Sequence, residues 1–340
     1  MRYIFSLTIT ILLLLAPLPS AAEEIIINAV GDIMLAGKWT HILKQKGYDF
    51  YFDKLRGELA DGDINLANLE SPIAGKGVEF RDKKYRFKAE PAVAAALKKA
   101  GFNLVTVANN HSMDFGYQAL EETFTHLDKA GIAWTGGGKN LEQARKSVVY
   151  WLNNRRMIFL SYSLILPLEF FAGENKSGTA PAWNHFFVPD ITKARQQKSD
   201  LVVVSFHWGD EGSNMVREKE RMAAHAAIDA GADIIIGHHP HVLQGVERYK
   251  KGIIFYSLGN CVFASRSNTA RYGALIKLRV GEQIREAEVL PLDVDHNRTN
   301  FQPRILSGKA AEPVINELNR LSKPFGTVIQ QKGERFKINF

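Results

Sequence analysis

Cysteine is nearly absent: Cys261 is the only one in 340 residues. An internal disulfide framework and a cysteine-built zinc cage are therefore excluded. Long hydrophobic runs are scarce too. Beyond the N-terminal segment, no stretch is apolar for long enough to cross a bilayer. Blocks of like charge are also missing. Lys and Arg exceed Asp and Glu by 43 to 36, a formal net charge of +7. That excess permits an anionic partner, but no Lys/Arg-rich tract suited to nucleic acid occurs, so nucleic acid is not an expected partner. No Gly-x-Ser-x-Gly elbow is present. Gly136-Gly137-Gly138-Lys139 lacks the spacing and the Ser/Thr of a phosphate-binding loop and reads as a flexible turn. At 46% hydrophobic and 23% charged residues the chain is of ordinary globular composition. A site built from His, Asp, Glu and Asn is left open by these absences.

The N-terminus carries an address. Arg2 precedes an apolar run from Ile4 to Pro17, and Ser20-Ala21-Ala22 places small residues before Glu23. A basic start, a short apolar middle and a small-residue exit predict a cleaved signal peptide over residues 1–22, and hence a secreted or periplasmic protein. The alternative is an uncleaved membrane anchor. The stretch is short for a bilayer span, and Pro17 and Pro19 interrupt its end.

From residue 24 to about residue 260, short β-branched apolar runs alternate with amphipathic helical stretches. Near-continuous apolar runs suit strands buried on both faces, and strands separated by helices predict a layered α/β fold. Helices are expected from Pro91 to Ala100, Gly116 to Ala130 and Glu218 to Ala230, each closed by a glycine. Residues 163–189 lack a clean period and read as a long insert or lid loop. Tyr272–Val280 and Arg285–Leu292 read as a hairpin around Gly281-Glu282, and a short helix is expected near Pro313–Leu321. No interdomain linker stands out, so one domain is expected.

The polar clusters at the ends of the predicted strands point to chemistry. The strand starting at Glu24 runs into Gly31-Asp32-Ile33-Met34, and that at Ile64 into Asn68-Leu69-Glu70. The Phe102 strand leads to Asn109-Asn110-His111, with Asp114 close by. The Leu201, Asp233 and Ile253 strands end in His207-Trp208-Gly209, Gly237-His238-His239-Pro240-His241 and Leu258-Gly259-Asn260. In open α/β sheets the C-terminal edge of the strands is where ligands bind. Carboxylates and imidazoles gathered there suit a divalent metal. His239 and His241, two apart around Pro240, are placed to reach one centre or two adjacent ones; Asp32 is placed to bridge, Asn110 offers a neutral carbonyl oxygen, and His111 suits a general acid. The basic stretch Lys76–Lys88 comes soon after Glu70, so Lys83, Lys84 and Arg86 are candidates to meet an anionic substrate. Cys261 reads as a small buried residue.

Taken in order, these motifs, with Gln244 and Ser257-Leu258-Gly259-Asn260, resemble the CapA capsule-synthesis family, the poly-γ-glutamate biosynthesis proteins, over about residues 25–265. That family is similar to the calcineurin-like metallophosphoesterases. The resemblance implies a four-layer α/β/β/α metallophosphoesterase-like sandwich over residues 23–300, with 301–340 as a C-terminal extension packing on the same domain. It further implies one or two divalent ions (Mn, Fe, Zn or Mg) held by Asp32, Glu70, Asn110, His207, His239 and His241, with His111 and Asp32 in catalytic roles. Asn260, Lys83, Lys84 and Arg86 are expected near substrate. Two departures from the parent pattern stand out: Met34 occupies the position of a histidine ligand, and Glu70 replaces an aspartate. The implied partner is an anionic polymer such as poly-γ-glutamate, together with capsule-synthesis membrane proteins. The implied role is a hydrolase-type function in polymer synthesis, export or processing. Two other readings stay open: a non-enzymatic binding accessory with a degenerate site, and an extracytoplasmic phosphodiesterase or phosphatase.

Overall fold

The computed structural model describes residues 24–281 and 283–338. The predicted signal segment and Glu282 of the hairpin turn lie outside the described residues. No described helix is long and apolar enough to cross a membrane.

Two sheets pack face to face. The ten-stranded sheet runs, in spatial order, Ile329–Lys332, Arg335–Ile338, Ile284–Asp293, Tyr272–Val280, Ile25–Met34, Ile64–Leu69, Leu104–Thr106 and Ala133–Thr135. Asn260–Phe263 joins it in parallel alongside the C-terminal end of Ile25–Met34, and Arg304–Ile305 pairs with Ile284–Asp293. The six-stranded sheet runs Val246–Tyr249, Gly252–Phe255, Ile234–His238, Leu201–His207, Arg155–Ser163 and Val148–Leu152.

Side chains alternate across each strand, and this divides the core into layers. Ile25, Ile27, Ile64 and Leu66 of the large sheet meet Phe159, Leu201, Val203, Ile234 and Ile236 of the small one. Val202, Val204 and Ile235 face the other way, onto Phe187, Ile191, Ala224 and Ala227 of helices Asn184–Gln196 and Glu218–Ala230. Val105 and Leu69 on the outer face of the large sheet pack on Val93, Leu97, Leu120 and Phe124 of helices Ala92–Ala100 and Gly116–Ala130. Helix, sheet, sheet and helix therefore stack as the expected four-layer α/β/β/α sandwich. Each buried Leu, Ile or Val side chain contributes about 1.5–3 kcal/mol, which is why continuous apolar runs select the central strands.

Two features differ from expectation, and a third gives the C-terminal extension its form. The stretch 163–189 is not a loose lid. Its end begins the helix Asn184–Gln196, which carries Pro189 inside it. Pro189 is exposed, so water can serve the carbonyl that its missing N–H leaves free, while Phe187, Ile191 and Ala194 bury one helical face. Before the helix, Phe170, Phe171, Ala180 and Ala182 are buried, which makes the segment a packed strap. Second, Gly137 and Gly138 pair with Thr179 and Gly178 rather than forming a flexible turn. A Cβ on Gly138 would lie 2.3 Å from the backbone nitrogen of Ala144, so packing demands glycine there. Third, the C-terminal hairpin Ile329–Lys332 and Arg335–Ile338 extends the large sheet, with Ile338 opposite Ala287. Ile315, Leu318, Phe336 and Ile338 enter the core between the sheets.

Candidate metal centre

Both sheets deliver functional residues by the same backbone device. Gly31 precedes Asp32, and a Cβ there would lie 1.9 Å from the Gly259 carbonyl oxygen. Gly237 precedes His238, and its Cβ would lie 1.9 Å from the Tyr256 carbonyl oxygen. Glycine lets the neighbouring backbone close in beside each strand end. Asp32 then stands opposite both Asn68 and Asn260 in register. Past the Ile234–His238 strand, His239 and His241 take φ of 96° and 57°, a left-handed conformation that non-glycine residues seldom adopt. The turn is held by Trp208 N–H donating to the His238 carbonyl at 3.1 Å and Gly212 N–H donating to that of Pro240 at 2.8 Å. Strain fixed in this way is characteristic of functional sites.

The six predicted ligands converge. His207 Nε2 lies 2.8 Å from Asn110 Oδ1 and 3.6 Å from Glu70 Oε1. His241 Nε2 lies 3.7 Å from the same Glu70 oxygen, and its Nδ1 lies 3.2 Å from Asp32 Oδ2. The His207 and His239 rings are 4.8 Å apart. Two three-residue sets have ligand atoms close enough to share an ion: Glu70 with His239 and His241, and Asp32 with Glu70 and His207. Glu70 belongs to both.

The electrostatics suit a cation. Burial pushes His239 down to about 3, and the neighbouring His241 adds to the effect. Burial also holds His207 well below the usual imidazole range. Both shifts favour the neutral ring, the form in which an imidazole binds a metal. Burial and the Asp32 charge raise Glu70 well above the ordinary carboxyl range, although His241 opposes them. Burial acts on Asp32 in the same sense, yet contacts with His238 and His241 hold it well below that range. Burial opposes the charged form of His241 also, but Glu70 and Asp32 outweigh it and raise the ring to about 10. Two carboxylates buried side by side resist joint ionisation until a cation joins them. Glu70 Oε1 and His239 Nδ1 are buried without a hydrogen-bond partner. Unpaired buried acceptors are rare in folded proteins, and these two belong to one ligand set, so the residues present fit a divalent ion.

His111 sits beside this cluster and outside both sets. Its Nδ1 lies 2.6 Å from Asp114 Oδ2 and 3.0 Å from Lys83 Nζ. Lys83 also donates to Asp114 Oδ1 at 2.7 Å and to the Asn110 carbonyl. Phe87 N–H donates to Asp114 Oδ2 at 2.8 Å, so the basic loop is fastened onto the site through Asp114. Of the three predicted loop cations, only Lys83 enters the cluster. Lys84 is exposed over the Tyr85 ring. Arg86 pairs with Glu79 and donates to the Lys83 carbonyl, holding the loop itself. Asn260 Oδ1 lies 2.9 Å from His241 Nδ1, where it orients a ligand.

Sequence reasoning assigned no role to several residues that the structure brings in. Asn68 donates to Asp32 Oδ1 at 2.9 Å. Asn109 donates to Asn68 Oδ1 at 3.1 Å and accepts from His111 N–H at 3.0 Å. His238 is fully buried with Nδ1 3.2 Å from Asp32 Oδ1. All three lie next to, or two residues from, predicted ligands in the chain, the one signal that could have found them. Met34 is fully buried in the apolar layer beneath the large sheet. Cys261 is buried, and burial raises its thiol far above the usual range, as suits a small core residue.

Comparison with known proteins shows the family and the fold. The sequence model of the family described as bacterial capsule synthesis protein PGA_cap matches residues 26–265. The chain is 34% identical over 268 residues to the PGA biosynthesis protein CapA of Bacillus subtilis, covering 78% of this chain and 70% of that one. It is 32% identical over 279 residues to the capsule biosynthesis protein CapA of Bacillus anthracis, covering 80% and 68%. Its fold is similar to a solved Staphylococcus aureus protein named as a putative 5'-nucleotidase, at a TM-score of 0.51 and 13% identity over 82% of this chain. The match spans 57% of that longer chain and bears on the fold alone. With the family pattern matched across both sheets and the candidate centre, the chain belongs to the bacterial capsule synthesis protein PGA_cap family.

Proposed function

We propose that this chain is an exported protein that processes a γ-linked glutamate polymer through a divalent-metal hydrolytic centre, in company with membrane proteins of polymer synthesis. The observation that carries the hydrolytic part is Glu70, fully buried, shared by both ligand sets and left with an unpartnered oxygen. The polymer part is supported by the relatives named for PGA and capsule biosynthesis and by the exposed cations Arg81 and Lys84 on the loop fastened to the site. Export rests on the signal pattern of residues 1–22.

Glu70, Asn110, His207, His239 and His241 would hold the metal, with Asp32 beside them. A bound divalent ion supplies hydroxide from water near neutral pH and polarises the scissile group. The chain's own residues do the rest. Asp114 holds His111 at Nδ1, so the ring, once protonated at Nε2 as well, would give that second proton to the leaving group and return to its neutral Nδ1–H form. Lys83 neutralises Asp114 and adds positive charge beside the imidazole. One observation favours a second reading, a binding accessory without turnover: Met34 puts a soft thioether, buried in the apolar layer, where the parent pattern has histidine.

The test is to strip the protein with chelator, reload it with Mn2+ or Zn2+, and follow poly-γ-glutamate by size-exclusion chromatography and by release of free amino groups. Chain shortening that is lost in His111→Ala with the metal retained supports the hydrolytic reading. Polymer binding without shortening supports the accessory reading. Turnover of a generic phosphodiester alone, lost in the same variant, would replace the polymer with a phosphoester.

A further inference from the structure

The donor atoms of the centre differ in how far they are already committed. On one side stand Glu70 Oε1 and His239 Nδ1, both buried and without a hydrogen-bond partner. Two imidazole nitrogens flank the Glu70 oxygen, His207 Nε2 at 3.6 Å and His241 Nε2 at 3.7 Å, both beyond hydrogen-bond reach of it; His207 Nε2 meets Asn110 Oδ1 at 2.8 Å, an oxygen assigned to the same ion. On the other side stands Asp32. Its Oδ1 accepts from Asn68 Nδ2 at 2.9 Å and lies 3.2 Å from His238 Nδ1. Its Oδ2 accepts from His239 N–H at 3.2 Å and lies 3.2 Å from His241 Nδ1. The His238 contact is close without being aligned as a hydrogen bond. A carboxylate has about four lone-pair sites, and here each oxygen already faces two nitrogens. Two residues on in the strand, Met34 packs in the apolar layer and contributes no nitrogen.

We propose that the centre holds one ion rather than two, seated on Glu70 Oε1 and His239 Nδ1, and that Asp32 is a positioning residue for His241. The proposal rests on the hydrolytic reading and narrows it. His241 Nδ1 faces Asn260 Oδ1 at 2.9 Å and Asp32 Oδ2 at 3.2 Å. Those two oxygens favour a proton on Nδ1, the first through a hydrogen bond and the second through its charge, and leave Nε2 facing Glu70. A carboxylate that orients an imidazole whose other nitrogen meets the metal is a common outer arrangement of metal sites, and its loss costs about 10–100-fold in affinity. Asp32 also comes within reach of Glu70 and His207. In this assignment Glu70 and His207 serve the same ion, and Asp32 stands behind it. A second ion beside Asp32 would have to displace donors already in place and would find no imidazole at position 34.

The test counts ions directly. Chelator-stripped protein is titrated with Mn2+ and, separately, Zn2+ by calorimetry, and bound metal is measured by elemental analysis after desalting. One equivalent is expected for the wild type. Asp32→Asn is expected to keep that equivalent with affinity weakened about 10–100-fold, while Glu70→Gln and His239→Ala bind none at concentrations that saturate the wild type. Asn260→Ala removes the other partner of His241 Nδ1 and is expected to behave as Asp32→Asn does, which keeps the test sound should Asp32→Asn fail to fold. Two equivalents in the wild type, or abolition of binding in folded Asp32→Asn, would overturn the assignment and leave the hydrolytic reading standing. No bound metal at all would overturn both.

Discussion

The two sheets bring different chemistry to one place. The large sheet supplies oxygen: Glu70 and Asn110 for the ion, and Asp32 and Asn260 for the imidazole beside it, all lie on its strands or just past them. The small sheet supplies nitrogen: His207 ends one strand, His238 the next, and His239 and His241 come after it in the strained turn. Neither sheet alone has a mixed ligand set suited to a borderline divalent ion. The centre exists only because the Ile25–Ile64 face packs on the Val203–Ile236 face. Metal binding at this centre would therefore be linked to sheet packing, and an ion spanning the sheets would stabilise the sandwich by mass action.

That contrast can be broken at several points. The largest effect is expected where backbone approach is removed. Gly31→Val and Gly237→Val each drive a side chain into a carbonyl oxygen that would lie 1.9 Å from the new Cβ. Each is expected to lose more than about 4 kcal/mol of stability, measured by urea denaturation. Near-wild-type stability in either would show that the strand ends are not as closely packed as described. Next come the ligands, one from each sheet. Metal-free protein is expected to gain about 4 kcal/mol when an ion is present at a thousand times its Kd. Glu70→Gln and His239→Ala are each expected to abolish this gain, seen as loss of the metal-induced rise in Tm. If one of them kept it, the ion would not span the two sheets.

A step lower, His111→Ala is expected to leave ion binding intact and reduce metal-dependent hydrolysis about 10²–10⁴-fold. Loss of the ion would instead place His111 among the ligands. A pH series on metal-free protein separates the imidazoles. His239 is pushed down to about 3 from an ordinary 6.5, so the unfolded chain takes up its proton first and stability falls as pH drops from 6.5 toward 3. His241 is raised to about 10, so its contribution is complete below 6.5 and is lost as pH rises from 6.5 to 10. His239→Asn is expected to flatten the acid limb of a Tm-against-pH curve, and His241→Asn the alkaline limb; the reverse pattern would refute these environments. The smallest effect belongs to the rim. Lys84→Glu is expected to weaken polymer binding only a few-fold at low salt, and less as salt screens it. A loss that persists at high salt would place Lys84 inside the site.

Much of this architecture is legible in the sequence because burial on both faces writes a continuous apolar run. The helices Gly116–Ala130 and Glu218–Ala230 begin and end where their patterns and closing glycines place them. Convergence of the polar strand ends is a consequence of the α/β topology itself. The part that stays hidden depends on contacts between distant segments. Val148–Leu152 is apolar at every position, so its sequence does not show which face is covered; pairing with Arg155–Ser163 makes it an edge strand with alternate residues half-buried. The helix across Pro189 survives because Phe187, Ile191 and Ala194 bury one face, a tertiary gain that outweighs local propensity. Charge alone could not sort Lys83 from Lys84. Neighbours in the chain, one turns into the cluster at Asp114 and the other into solvent. Nor does spacing disclose that Asn260, next in the chain to Gly259, would reach His241.

The most direct measurement is a crystal structure of the Zn2+-loaded protein with anomalous data at the zinc edge. A bridged centre predicts one strong peak about 2.0–2.2 Å from both Glu70 Oε1 and His239 Nδ1, joining the large sheet to the small one. A zinc-loaded crystal with no peak at that position, or with zinc held by residues of one sheet only, would contradict it.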